Sequence, residues 1–75
     1  MVSPSRVLIT GADGFTGRHM AEEMTQHGYE VYGTVLSGEL GSREFKVDLL
    51  DHDRLRDVVE EVAPSIVIHL AGISF

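Results

Sequence analysis

Gly11-Ala12-Asp13-Gly14-Phe15-Thr16-Gly17 lies between an apolar run, Val7-Leu8-Ile9-Thr10, and a stretch with helical spacing. Glycines recurring every third residue at a strand-to-helix turn mark a place where backbone comes close to another group. The first permits a tight turn, the second lets backbone approach a phosphate, and the third lets the helix pack on the strand. The N–H groups of residues 14 to 16 then face an anion that the helix dipole also favours. A pyrophosphate is the most economical such anion. The spacing G-x-x-G-x-x-G differs from the usual dinucleotide fingerprint, G-x-G-x-x-G. No Gly-Lys-Ser/Thr follows, so a Walker A loop is excluded.

On the N-terminal side, Arg6 to Thr10 reads as a strand covered on both faces, because its apolar character is continuous. Residues 15 to 27 read as a helix with Gly17, Met20, Ala21 and Met24 on one face, closed by Gly28. Glu30 to Val35 is a second strand, weakened by Gly33. Ser37 to Ser42 is too short for the helix that a parallel crossover normally carries, so an irregular crossover is expected. Glu44 to Asp48 is a third short strand with Phe45 and Val47 on one face. Asp51 suits the N-cap of a second helix, in which Leu55, Val58, Val59 and Val62 follow the i, i+3, i+4, i+7 pattern. Pro64 ends that helix. Ser65 to Leu70 is a fourth strand, expected to bury Ile66-Val67-Ile68.

The order β-α-β-β-α-β predicts an α/β fold, the N-terminal part of a Rossmann doubly wound parallel sheet with four strands and two helices. Such a sheet with two helices leaves apolar faces bare. Residues 1–75 are therefore expected to be the N-terminal portion of a nucleotide-binding domain, with the remainder and a substrate domain lying outside them.

Composition narrows the function. Seventy-five residues allow one small domain, and the absence of cysteine excludes disulfide staples and thiolate metal sites. A net charge of −6 argues against nucleic acid and anionic membranes as partners. It leaves a dinucleotide open, since a helix N-terminus holds phosphate without net positive charge. No apolar run reaches the roughly 18 residues of a membrane span, and the N-terminus lacks a signal-peptide pattern, so a cytoplasmic protein is expected. His19, His27, His52 and His69 form no ligand cluster, and no metal is expected. His69 reads as a hydrogen-bonded core residue rather than a catalyst, and Arg18 and His19 as solvated helix residues.

Three segments carry a family resemblance. Thr10-Gly11-Ala12-Asp13-Gly14-Phe15-Thr16-Gly17 resembles the opening of the extended short-chain dehydrogenase/reductase family, usually T-G-x-x-G-F-x-G. Asp48-Leu49 resembles that family's acidic-apolar pair after the third strand, which contacts adenine. His69-Leu70-Ala71-Gly72 resembles its H-x-A-[AG] segment after the fourth strand. The resemblance implies NAD or NADP bound across the carboxyl ends of the strands, with Gly11, Gly14, Phe15, Thr16, Gly17, Asp48, Leu49, Leu70, Ala71 and Gly72 as cofactor-binding residues. On the residues alone, Asp48 also suits a loop cap and Leu49 the core. Val67 to Phe75 looks most like the GDP-mannose 4,6-dehydratase and 4-keto-6-deoxyhexose reductase branch, which places Ser74 at the substrate edge.

An acidic residue ending the second strand would bond the ribose hydroxyls of NAD. Val35 stands there instead. Ser37 is a candidate for a ribose or 2′-phosphate contact, with Arg43 as a further candidate for the phosphate, and the missing acid leans the expectation toward NADP. The family works by hydride transfer on a nucleotide sugar, with a Tyr-x-x-x-Lys pair for acid/base work. Neither Tyr29 nor Tyr32 has a lysine four residues on, so this chain holds no catalytic residue. The longer protein is expected to be a homodimeric enzyme acting on a nucleotide sugar. The alternatives are a non-catalytic NAD(P)-sensing protein and a stand-alone interaction domain.

Overall fold

The computed structural model describes residues 5–70. Its elements are β1 (Arg6–Thr10), α1 (Phe15–Gln26), β2 (Glu30–Val35), β3 (Glu44–Lys46), α2 (His52–Val62) and β4 (Ile66–His69). The four strands form one parallel sheet in the order β3-β2-β1-β4. This is the Rossmann-like α/β order that the sequence implies. β1 lies at the centre, and the chain crosses the sheet between β3 at one edge and β4 at the other. The connection from β2 to β3 carries no helix, as its length requires.

Alternation along β1 sorts the core into two layers. Val7 and Ile9 face one side with Ala12 and Val35, and Met20, Ala21 and Met24 of α1 cover them. Leu8 faces the other side with Val47, Val58 and Val62, joined by Leu55 and Val59 of α2. Val7, Leu8 and Ile9 are all fully buried. Burying each such side chain stabilises the fold by about 1.5–3 kcal/mol. A continuous apolar run is what a strand with a helix on each face needs.

Local signals set the element ends. Asp51 accepts a hydrogen bond from the Arg54 N–H at 3.1 Å and caps α2. Gly28 follows α1 with φ 88°, and α1 stops one residue earlier than the periodicity suggests. α2 ends on Ala63, held in the left-handed region at φ 49° immediately before Pro64. Arg6 donates from Nη1 to the Val62 carbonyl at 2.9 Å, tying the start of β1 to the end of α2.

Two strands depart from expectation. β3 ends at Lys46 rather than Asp48, because residues 47–51 turn immediately into α2, with the Asp51 N–H donating to the Asp48 carbonyl at 2.8 Å. Within residues 5–70, β4 is not a buried strand. Ile66 is 37% and Val67 51% exposed. β4 is the sheet edge, flanked by β1 alone among the described residues, so its apolar side chains lack the cover that β1 receives.

Candidate functional site: a crevice at the carboxyl ends of the strands

The glycine turn is built on the end of β2. The Ala12 N–H donates to the Thr34 carbonyl at 2.9 Å, and the Gly11 N–H donates to Thr34 Oγ1 at 3.2 Å. Gly11 takes φ 76°, which an L side chain rarely adopts. Gly17 is fixed by packing: a Cβ there would stand 2.5 Å from the Gly11 carbonyl oxygen and 2.7 Å from Ala12 Cα. The third glycine therefore seats the helix on the turn.

Gly14 is the N-cap of α1 and supplies no side-chain cap. The first intrahelical bond runs from the Arg18 N–H to the Gly14 carbonyl at 3.0 Å. The N–H groups of the first turn before Arg18 have no intrahelical acceptor, as at every helix start. Phe15 and Thr16 are exposed there, at the kind of helix start that favours an anion.

Beside this helix start opens a crevice of about 370 Å³. Of the residues expected in a cofactor site, Gly11, Gly14, Asp48, Leu49 and Leu70 line it together. Phe15 and Thr16 stand outside its lining, and Phe15 is 91% exposed. Ser37 is exposed and is not brought to the crevice. Ala71, Gly72 and Ser74 lie outside the described residues.

Backbone bonds gather the pieces. The Val47 N–H donates to the Val35 carbonyl at 2.9 Å, placing residues 47–49 beside the end of β2. The Leu70 N–H donates to the Thr10 carbonyl at 3.1 Å and holds the end of β4 beside the turn. His69 Nδ1 lies 2.6 Å from Thr10 Oγ1, so this histidine is hydrogen-bonded as expected, although it is exposed rather than core. Asp48 is a loop cap, its Oδ1 accepting from the Leu50 N–H at 3.0 Å, and it also lines the crevice. Leu49 is half-buried against the α2-side core and also lines the crevice.

Sequence reasoning missed Asp13, Thr34 and Leu36. Asp13 Oδ2 accepts from the Leu36 N–H at 3.1 Å and bridges the glycine turn to the segment after β2. An aspartate inside a tight turn is a signal for such backbone capping. It also missed the reason for Gly33, where a Cβ would come 2.6 Å from Ala12 Cβ. Arg43, the candidate partner for a 2′-phosphate, lies away from the crevice. Its guanidinium sits 5.7 Å from the Tyr32 ring centre, and it opens onto a separate cleft with Arg18.

The crevice joins polar backbone, apolar side chains and a carboxylate. The uncapped helix start offers donors to an anion, Leu49 offers an apolar surface, and Asp48 keeps a carboxylate oxygen for an amino group. No group of His, Asp or Glu side chains able to hold a metal occurs among the described residues, and no described helix is long and apolar enough to cross a membrane.

Comparison with known proteins agrees with this geometry. Residues 7–75 match the NAD dependent epimerase/dehydratase family. The chain is 35% identical over 69 residues to methionine adenosyltransferase 2 subunit beta of Danio rerio, covering 89% of this chain and 20% of that protein. It superposes on UDP-glucose 4-epimerase from Brucella ovis in complex with NAD with a TM-score of 0.81 and 32% identity, covering 95% of this chain and 24% of that one. It superposes on dTDP-4-dehydrorhamnose reductase from Bacillus anthracis in complex with NADP with a TM-score of 0.78 and 28% identity, covering 100% and 24%. The chain thus spans about a fifth to a quarter of the length of these relatives. With the glycine turn, the uncapped helix start and residues 48–49 meeting at one crevice, and the match running from β1 onward, the chain belongs to the NAD dependent epimerase/dehydratase family.

Proposed function

We propose that residues 1–75 are the N-terminal portion of the NAD(P)-binding domain of a longer enzyme acting on a nucleotide sugar. The observation that carries the reading is the convergence of an uncapped helix start with Asp48 and Leu49 on one crevice. The Phe15 and Thr16 N–H groups hold the pyrophosphate, which the helix dipole favours. Gly11 and Gly14 keep the turn low enough for it to approach. Leu49 would cover a face of the adenine, and the free oxygen of Asp48 would accept from its amino group. Leu70 closes the crevice on the β4 side; the family resemblance assigns Ala71 and Gly72 to the cofactor and Ser74 to the substrate edge.

When bound, the nicotinamide supplies hydride transfer to or from a sugar carbon. This chain's own residues bind and orient; the acid/base pair belongs to the polypeptide beyond them. The family match and the epimerase and reductase neighbours support an enzyme of this kind. The resemblance of Val67 to Phe75 favours the dehydratase and reductase branch within it.

A second reading has one specific observation behind it. The zebrafish relative is named as a subunit of a methionine adenosyltransferase, so a dinucleotide-holding subunit of another enzyme is the alternative. The test is to offer the longer protein NAD or NADP with UDP-, dTDP- and GDP-sugars and to analyse both the nicotinamide redox state and the sugar products. Turnover of a nucleotide sugar is expected. Tight dinucleotide binding with no turnover of any sugar supports the subunit reading. No dinucleotide binding contradicts both.

A further inference from the structure

We infer that Asp13 sets the cofactor choice of this crevice in favour of NAD, standing in for the acid that the end of β2 lacks. The inference rests on the dinucleotide reading above. It reverses the lean toward NADP that Val35 suggests, because the carboxylate arrives from a different segment.

The connectivity of the ligand places its ribose. A dinucleotide with its pyrophosphate on the start of α1 and its adenine on Leu49 must run its adenosine ribose between those two points. In the sheet order, β2 lies between β1 and β3. The ribose therefore crosses the end of β2, at Val35 and Leu36. Val35 is 4% exposed and apolar, and Leu36 is apolar, so neither side chain offers a group to a hydroxyl. Asp13 supplies one. Its Oδ2 takes the Leu36 N–H at 3.1 Å, which fixes the carboxylate at the end of β2, and both residues line the crevice. Oδ1 is left to accept from a ribose hydroxyl, a charge-assisted bond.

The charge pattern points the same way. Asp13 and Asp48 are the ionisable side chains among the lining residues, and no cation is among them. The nearby arginines, Arg18 and Arg43, open onto a separate cleft in the company of Glu22 and Glu44. A 2′-phosphate carries about −1.5 to −2 charge at neutral pH. Placed at the end of β2 it meets the Asp13 carboxylate, with no cation among the described residues that line the crevice. A ribose hydroxyl donates to the same carboxylate.

The experiment is calorimetric titration of the protein with NAD and with NADP, comparing wild type with Asp13→Asn. The asparagine keeps an oxygen for the Leu36 N–H, so the turn is retained while the charge is removed. Wild type is expected to bind NAD at least about tenfold more tightly than NADP, since like charges a few ångströms apart in a partly desolvated cleft repel strongly. D13N is expected to lower that ratio several-fold by weakening NAD and strengthening NADP. Equal affinities or a preference for NADP in wild type overturn the inference, whatever the variant does. An unchanged ratio in a D13N variant that binds both dinucleotides also overturns it, while leaving the dinucleotide site intact. Binding of neither dinucleotide by folded wild-type protein overturns the inference together with the reading beneath it.

Discussion

Gly17 and Gly33 are the two residues where the site's backbone has no room to spare. At Gly17 the colliding atoms are backbone, with the Gly11 oxygen 2.5 Å from the added Cβ. Gly17→Ala is expected to destabilise the fold by about 1–3 kcal/mol and to push the turn out of shape, weakening dinucleotide binding as well. Urea unfolding and a binding titration on the same variant check both effects. Ala63 offers the opposite case. It holds φ 49°, a region that disfavours a side chain. Ala63→Gly is expected to raise stability by up to about 1 kcal/mol, relief of strain outweighing the added freedom of the unfolded chain. A lowered unfolding midpoint would contradict it. These details were only partly legible in the sequence. The three spaced glycines announced a close approach, and Gly17 did have the packing role assigned to it. Asp13 and Gly33 were not legible, because each answers a partner more than twenty positions away or across the sheet, Leu36 for one and Ala12 for the other.

The helices were the most readable elements because each buries one face at a period near 3.6. In α2, Val58 and Val62 are buried and Asp51 caps the start. Val58→Ala is expected to cost about 2 kcal/mol in lost burial and residual cavity, and Asp51→Ala about 1 kcal/mol. The two sites share no partner and should add, which a double variant in urea unfolding measures. β1 was readable for the same reason, since an uninterrupted apolar run fits a strand between two layers. β4 carries the same signal, yet within residues 5–70 Ile66 and Val67 are exposed. Ile66-Val67-Ile68 is as apolar as Val7-Leu8-Ile9, but composition does not say which strand has neighbours on both sides. That is decided by sheet order, and among the described residues β4 stands at the edge.

For the whole molecule, the sheet has two ends with different chemistry. The carboxyl end carries the crevice. Toward the other end, on the α2 face, Tyr32 donates its hydroxyl to Glu30, and Arg6 and Arg43 lie 5.8 Å and 5.7 Å from its ring centre. The Tyr32 hydrogen bond, helped by the attraction of Arg6 and Arg43 and opposed by partial desolvation, holds the Glu30 carboxyl below its ordinary 4.5. The same bond, with desolvation, pushes the Tyr32 hydroxyl above 10.0. A lowered carboxyl stabilises the fold above its unfolded value, and that contribution is lost as pH falls below 4.5 through the folded value. A raised phenol stabilises below its unfolded value, and that contribution is lost as pH rises beyond 10.0. Tyr32→Phe removes the bond, so its urea midpoint is expected to fall less than that of wild type between about pH 7 and about pH 3. An equal fall in both would contradict the assignment.

The carboxyl-end crevice was legible in outline. The glycine turn, Asp48-Leu49 and Leu70 were identified from segments far apart in the chain, and parallel topology brings them together because every strand ends on the same side. What was not legible is the charge at the end of β2, which depends on which segment folds over it.

Whether this end of the sheet holds a dinucleotide is tested most directly by amide chemical-shift mapping during titration with NAD to about 1 mM, since that reaches even weak binding. Displaced N–H signals are expected at Gly14, Phe15 and Thr16, at Leu36, and at Asp48 and Leu49, with Arg6, Glu30 and Ile66 at the opposite end unmoved. Shifts centred on Arg6, Glu30 and Ile66, or no shift at the helix start, would contradict a dinucleotide site here.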